Sequence, residues 1–191
     1  MNARIHGIQV ALPTVVETSS GPLRTAMCKR PVVGPVELGA EALAGDGCAD
    51  LKHHGHEDQA VCVMPIEHYA FWRARLGHTE DSFPCGSFGD NFTVSGLLET
   101  DIREGDLWRI GTAEVEVTKP RQPCSTLNKV WDAKDFVAVM GREGNTGWYL
   151  RVRKEGIVTA GDAIELLHSD PSAPTIAAMW AAKRGKGKAS S

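Results

Sequence analysis

No two of the five cysteines, at positions 28, 48, 62, 85 and 124, form a C-x-x-C pair, and their number is odd. A disulfide framework is therefore not the organising device, and the pattern fits separate thiols in a reducing compartment. Long apolar runs are also missing. Nothing approaches the ~20 residues that a membrane span requires. The opening "MNARIHGIQVALP" is interrupted by His6 and Gln9 and is followed by no small-residue cleavage site, so it reads as a first strand rather than a signal peptide. There is little excess of charge: the formal net charge of −3 argues against a general nucleic-acid binder. Internal repeats and a convincing interdomain linker are absent as well. Together these absences predict a cytoplasmic protein that engages neither membrane nor nucleic acid.

What the chain does have is enough length, 191 residues, to fold without a disulfide or zinc staple. A chain of this size buries roughly 70% of its unfolded surface. Short β-type runs dominate. "IHGIQVAL" alternates, with Ile8, Val10 and Leu12 on one face, and "QAVCVM" (59–64) is continuous, as in a strand buried on both sides. "DLWRIG" (106–111) and "AEVEVT" (113–118) read as a hairpin about Gly111, and "DAIELL" (162–167) closes the series. Gly and Pro punctuate the gaps at spacings typical of a barrel or folded sheet.

Three stretches read as helices. In "PIEHYAFWRARL" (65–76), Ile66, Tyr69, Trp72 and Leu76 recur at helical spacing behind Pro65. "DAKDFVAVMG" (132–141) has Asp132 as cap and Gly141 as stop, and "TIAAMWAAKR" (175–184) follows Pro174. The final "GKGKASS" carries too little apolar content to order itself and reads as a solvated basic tail.

Three polar stretches can carry chemistry. In "KPRQPCSTLNK" (119–129), Cys124 follows a proline-braced turn bearing Lys119 and Arg121 and precedes Ser125, Thr126 and Asn128. Nearby cations favour a thiolate, which is the nucleophilic and metal-binding form. An incidental loop thiol is the competing reading. "GDGCADLKHHGHEDQAV" (45–61) crowds Asp46, Asp50, Lys52, His53, His54, His56, Glu57 and Asp58 before the buried strand. It fits a loop lining a ligand pocket or a plain solvated loop. Zinc on Cys48, His53, His54 and His56 is not expected, because the spacing matches no compact motif. In "PCGSFGDNFTVSGLLETDIREGD" (84–106), Gly86 and Gly89 allow close backbone approach and their amides can face a phosphate. Asn91 offers an amide to a polar heterocycle. Cys85 and Cys62 read as core fillers.

In order, these stretches resemble the MOSC domain family, named for the C-terminal domain of molybdenum-cofactor sulfurases, and within it the stand-alone bacterial YiiM-like branch. The matching pieces are "GDGCAD", "HHGHEDQAV", "EHYAFW", "GSFGDNFTVSGLLETDIREGDLWRIGTAEVEVTKPRQPC" and "GWYLRVRKEGIVTAGDAIEL", spread over roughly 30–168. The resemblance implies an α/β, β-rich fold with a MOSC-type β-barrel core over 1–170 and a C-terminal helix and basic tail over 171–191. It implies a molybdenum-pterin cofactor ligated by Cys124. Arg121, Asn91, Lys52, Gly89, Gly55 and Ser125 then fall to cofactor binding, and His54 and Asp58 join Cys124 as catalytic candidates.

The implied activity is removal of oxygen from a small N-hydroxylated compound, with His54 or Asp58 as proton donor. A separate flavin or iron–sulfur protein would return the electrons. A carrier of persulfide or cofactor without turnover is the alternative. Pyridoxal phosphate is not expected, since that chemistry belongs to a separate domain of the sulfurases. The chain departs from the family's pattern at His56 in place of a glycine, at Asp90 in place of a glutamate and at Cys48 in place of a glutamine. It also stops short of the helical extension after the barrel.

Overall fold

The computed structural model describes residues 3–50 and 55–188. The chain runs β1 (Arg4–Val10), β2 (Thr14–Thr18), β3 (Gly21–Thr25), β4 (Arg30–Pro31), β5 (Val36–Leu38), a 3-10 turn at Glu57–Gln59, β6 (Val61–Pro65) and α1 (Glu67–Leu76). It continues through β7 (Phe92–Ser95), β8 (Leu107–Ile110), β9 (Ala113–Pro120), α2 (Thr126–Val130), α3 (Phe136–Glu143), β10 (Trp148–Lys154), β11 (Gly156–Val158), β12 (Ile164–His168) and α4 (Ile176–Lys188).

Eight strands form one curled sheet in the order β12-β8-β9-β10-β6-β7-β1-β4. The curl goes far enough for the start of β1 to meet β12 through the bridge Arg4↔Ala163 and the bond from Ile5 N to Asp162 O, 2.9 Å. The result is a strand-rich α/β half-barrel, in keeping with the β-rich barrel core that the resemblance implies. Most neighbours are antiparallel; β6 and β7 are parallel and joined over the sheet by α1.

The alternation of β9 decides what lies inside: Val115 and Val117 are fully buried while Glu114 and Glu116 face out. β6 is buried along its whole length because both of its faces are covered. Val61 and Val63 join Trp108, Trp148 and Leu150 in the core within the curl. Met64 on the other face packs into a second core of Tyr69, Trp72, Phe83, Phe88 and Phe136 beneath α1 and α3. There Trp72 stacks on Phe136 at 4.1 Å.

Several expectations shift. In β1 a bulge between Ile5 and Gly7 turns both Ile5 and Ile8 inward, and Leu12 lies past the strand, largely exposed. Pro65 ends β6 rather than starting α1, whose first residue is Glu67. Asp132 does not cap α3; that helix starts four residues later at Phe136, runs through Gly141 and stops at Gly144, φ +79°. Helical backbone continues to Lys188, into the stretch whose low apolar content predicts a disordered tail. Ile176 at its start belongs to the core inside the curl, which anchors the helix. The β2–β3 hairpin and the five-residue α2 had no periodic signal to announce them.

Candidate active site around Cys124

β9 delivers the cysteine turn. Its register against β10 ends at Lys119↔Tyr149 and Pro120↔Trp148, after which Arg121 N donates to Gly147 O at 3.0 Å. The close passage needs glycine: a Cβ on Gly147 would lie 2.1 Å from Val63 O. Cys124 follows, half-buried, and its carbonyl accepts from Leu127 N at 3.1 Å as α2 begins. Ser125 is exposed at that helix start and its side chain makes no capping bond.

Strand register builds the ground beneath the turn. Tyr149 lies opposite Cys62 on one side and Lys119 on the other, so these three share the sheet face away from the barrel interior. Arg121 is 6% exposed and its guanidinium lies within electrostatic reach of Cys62, Tyr149, Cys124 and Asp90. Nη2 donates to the carbonyl of Phe88, whereas Nη1 is buried and has no partner among the described residues. A buried guanidinium stays charged, and an unpartnered donor on it is costly unless an acceptor meets it, an anionic one most favourably. Burial pushes the Cys62 thiol up to about 11, so it stays neutral, and burial likewise keeps the Tyr149 phenol protonated.

The three polar stretches converge here. Asp58 pairs with Lys119 at 2.5 Å, and its carbonyl accepts from Thr118 Oγ1 at 2.7 Å. Ser87 O accepts from Trp131 Nε1 at 2.8 Å. Asn91 makes three side-chain bonds, accepting from Cys62 N at 3.1 Å and donating to Gln9 O at 3.3 Å and Asp46 Oδ2 at 2.7 Å. Asp46 is further held by Ala11 N and by the buried Lys29. The side chain expected to meet a heterocycle thus ties the 45–47 loop to the ends of β1 and β6.

Gly89 also differs from its expected role. Its φ is +79° and a Cβ would sit 2.8 Å from Met27 Cγ, but its amide donates to Gly86 O at 2.8 Å instead of facing a ligand. Gly86 N donates to Tyr69 Oη at 2.9 Å. Gly55 is exposed with φ +76°. Lys52, His53 and His54 lie outside the described residues. Among the described residues no group of three His, Cys, Asp or Glu is placed to hold a metal ion by itself.

Cys62 is buried, as its place in an apolar run predicts, but nothing local marks its nearness to Arg121, and nothing local marks Tyr149. The period of two shows only the face they share. In "VCVM" and "WYLR" the bulky apolar residues facing the curl alternate with a thiol and a phenol facing the opposite way.

Comparison with known proteins agrees with this architecture. The MOSC domain profile matches residues 50–165. YflK of Bacillus subtilis (strain 168) is 41% identical over 163 residues, 85% of this chain and 72% of that protein. YiiM of Escherichia coli (strain K12) is 36% identical over 143 residues, 75% of this chain and 64% of that protein. A protein named reductase from Gibberella moniliformis is 32% identical over 148 residues, 77% of this chain but only 26% of that one. The crystal structure of YiiM from Geobacillus stearothermophilus superposes with a TM-score of 0.78 at 32% identity, covering 96% of this chain and 85% of that one. With Cys124 at the end of its β9 turn and the half-barrel in place, the chain belongs to the MOSC domain family, a family associated with binding of the molybdenum cofactor.

Proposed function

We propose that the protein holds a molybdenum-pterin cofactor through Cys124 and works as an oxidoreductase on small N-hydroxylated compounds. The observation that carries this reading is the Arg121 guanidinium, buried beside Cys124 with Nη1 unmatched. That donor set fits the group: a soft sulfur ligand for the metal and a fixed cation for its anionic sulfur and phosphate substituents. When bound, the cofactor supplies the two-electron chemistry that removes oxygen from an N–OH group. The chain's own residues bind and orient. Arg121 offers Nη1 as a directed donor. Tyr149 keeps a protonated hydroxyl on the same sheet face, and Lys119, held by Asp58, sets a second cation at the rim. Asp58 serves in this reading by fixing Lys119; His54 and Lys52 stay as candidates for proton donation and phosphate binding. The family association, and at lower coverage the relative named reductase, support an oxidoreductase. Electrons are to come from a separate flavin or iron–sulfur protein.

The test is metal and pterin analysis of protein expressed in a cofactor-competent host, followed by turnover of an N-hydroxylated base with an artificial donor. Wild type retains molybdenum and pterin and turns over; Cys124→Ser loses metal occupancy by at least about tenfold. Fully loaded wild type without turnover overturns the enzyme. A persulfide on Cys124 without molybdenum replaces it with a sulfur carrier.

A further inference from the structure

On the far side of the cysteine turn a cavity of about 340 Å³ opens between α1, the 98–100 turn, the end of α3 and α4. That volume falls within the range of small-molecule sites, roughly 300–1,000 Å³. Its walls are largely apolar; its acceptors are Glu99, Asn145 Oδ1 and Glu143, and its donors His68, Thr100 and Arg184 each already make a bond, to Glu99, Asp101 and Arg142 O. Leu98 and the indole of Trp180 supply much of the wall, and Ala177 and Ala181 of α4 keep one side low. Trp180 has its single donor engaged, Nε1 to Gly141 O at 2.9 Å, so it presents only ring surface.

Glu99, 5% exposed, lies at the base. It accepts from His68 Nε2 at 2.9 Å on Oε2 and from Gly147 N at 2.8 Å on Oε1. Oε2 thus keeps acceptor capacity. Asn145 Oδ1 is buried and has no hydrogen-bond partner among the described residues. Glu143 adds a second carboxylate at the rim, where it pairs with the exposed Arg142 at 3.1 Å. Arg184, the one guanidinium of the lining, is exposed and turns Nη1 to Arg142 O at 2.7 Å.

A buried acceptor without a donor, a buried carboxylate with room for another bond and an aromatic wall without a donor all require the same thing of a ligand. It must bring its own N–H groups, and positive charge suits the two carboxylates and the ring face. We propose that this cavity is a second binding site, for a small flat cation of the amidinium or guanidinium class, its N–H groups directed at Asn145 Oδ1 and Glu99 and its body against Trp180. The site stands on the cavity alone and needs no cofactor. It is nonetheless wired to the cysteine turn twice: Glu99 holds Gly147, whose carbonyl holds Arg121 N, and Lys183 of α4 donates to Gln122.

The test uses the full chain without cofactor and benzamidine as probe, followed by calorimetry and tryptophan fluorescence at physiological salt. Saturable binding of one equivalent is expected, with Kd on the order of 0.1–1 mM. The neutral isostere benzamide should bind at least about tenfold more weakly. Ala181→Phe, which fills the cavity from an exposed helix position, and Asn145→Leu, which removes the acceptor, should each weaken benzamidine about tenfold. Cys124→Ser should bind as wild type does, so the outcome is separate from that of the cofactor analysis. Absence of saturable binding, equal binding of benzamide, or undiminished binding by either folded cavity variant overturns the proposal. Loss of binding in Cys124→Ser would move the probe to the cysteine turn and overturn it as well.

Discussion

Asn91 shows at the scale of one residue why a polar group placed between strands is hard to replace. Its amide accepts from Cys62 N and donates to Gln9 O and Asp46 Oδ2, groups from three segments far apart in sequence. Removing it leaves a buried amide, a buried carbonyl and one arm of a buried carboxylate without partners. Each such loss costs about 1–3 kcal/mol. Asn91→Ala is therefore expected to destabilise the apo protein by roughly 3 kcal/mol or more, measured as a lowered urea midpoint. A change below about 1 kcal/mol would mean that water replaces the amide and that Asn91 is free to serve a ligand. A motif and a polar residue are legible in the sequence here, but the three partners are not. Those are set by the register of β1 and β6 and by the path of the 45–47 loop.

At the scale of elements, α2 and α3 depend on one another. α2 has five residues, too short for independent stability. Asn128 within it donates Nδ2 to Lys134 O at 2.8 Å and accepts from Val137 N at 2.9 Å, so it caps α3 from outside. This explains why Asp132, the apparent cap in the sequence, is not used. Asp132 has φ +46° in the connecting turn and accepts from Ser19 Oγ at 2.5 Å, bracing the β2–β3 hairpin instead. Asn128→Ala should lower stability by about 1–2 kcal/mol. It should also raise hydrogen exchange at Val137 before that of the β9–β10 ladder. Equal exchange throughout would show that the cap has a surrogate.

At the scale of the whole molecule, the pH dependence of stability has a contribution from Asp90, fully buried against Tyr69 Oη at 2.9 Å and Thr93 Oγ1 at 2.7 Å. Burial raises its pKa above the ordinary carboxylate value of 3.8, with the two hydroxyls opposing. A carboxyl whose folded value lies above its unfolded value takes up a proton on folding. Its contribution is most favourable below about 3.8 and is lost as pH rises through the raised folded value. Asp90→Asn keeps an acceptor for Tyr69 without the charge. It should match wild type at acid pH and gain on it toward neutrality by on the order of 1 kcal/mol, read from urea unfolding across pH. A variant that instead loses ground as pH rises would show that Arg121 and the hydroxyls favour the anion.

The amino-acid order alone determined the alternating strands β8 and β9, the apolar stripe of α1 and the series of motifs ending in Cys124, because periods of two and 3.6 and a motif order are local properties. Only the tertiary structure decided that Arg121 would be buried with one nitrogen unmatched, that Cys62 and Tyr149 would stand beside it, and that α4 would wall a cavity behind the turn. Those facts come from which strands lie side by side and how far the sheet curls. Neighbours across a sheet can be nearly ninety residues apart, as Cys62 and Tyr149 are, and no window of sequence contains both.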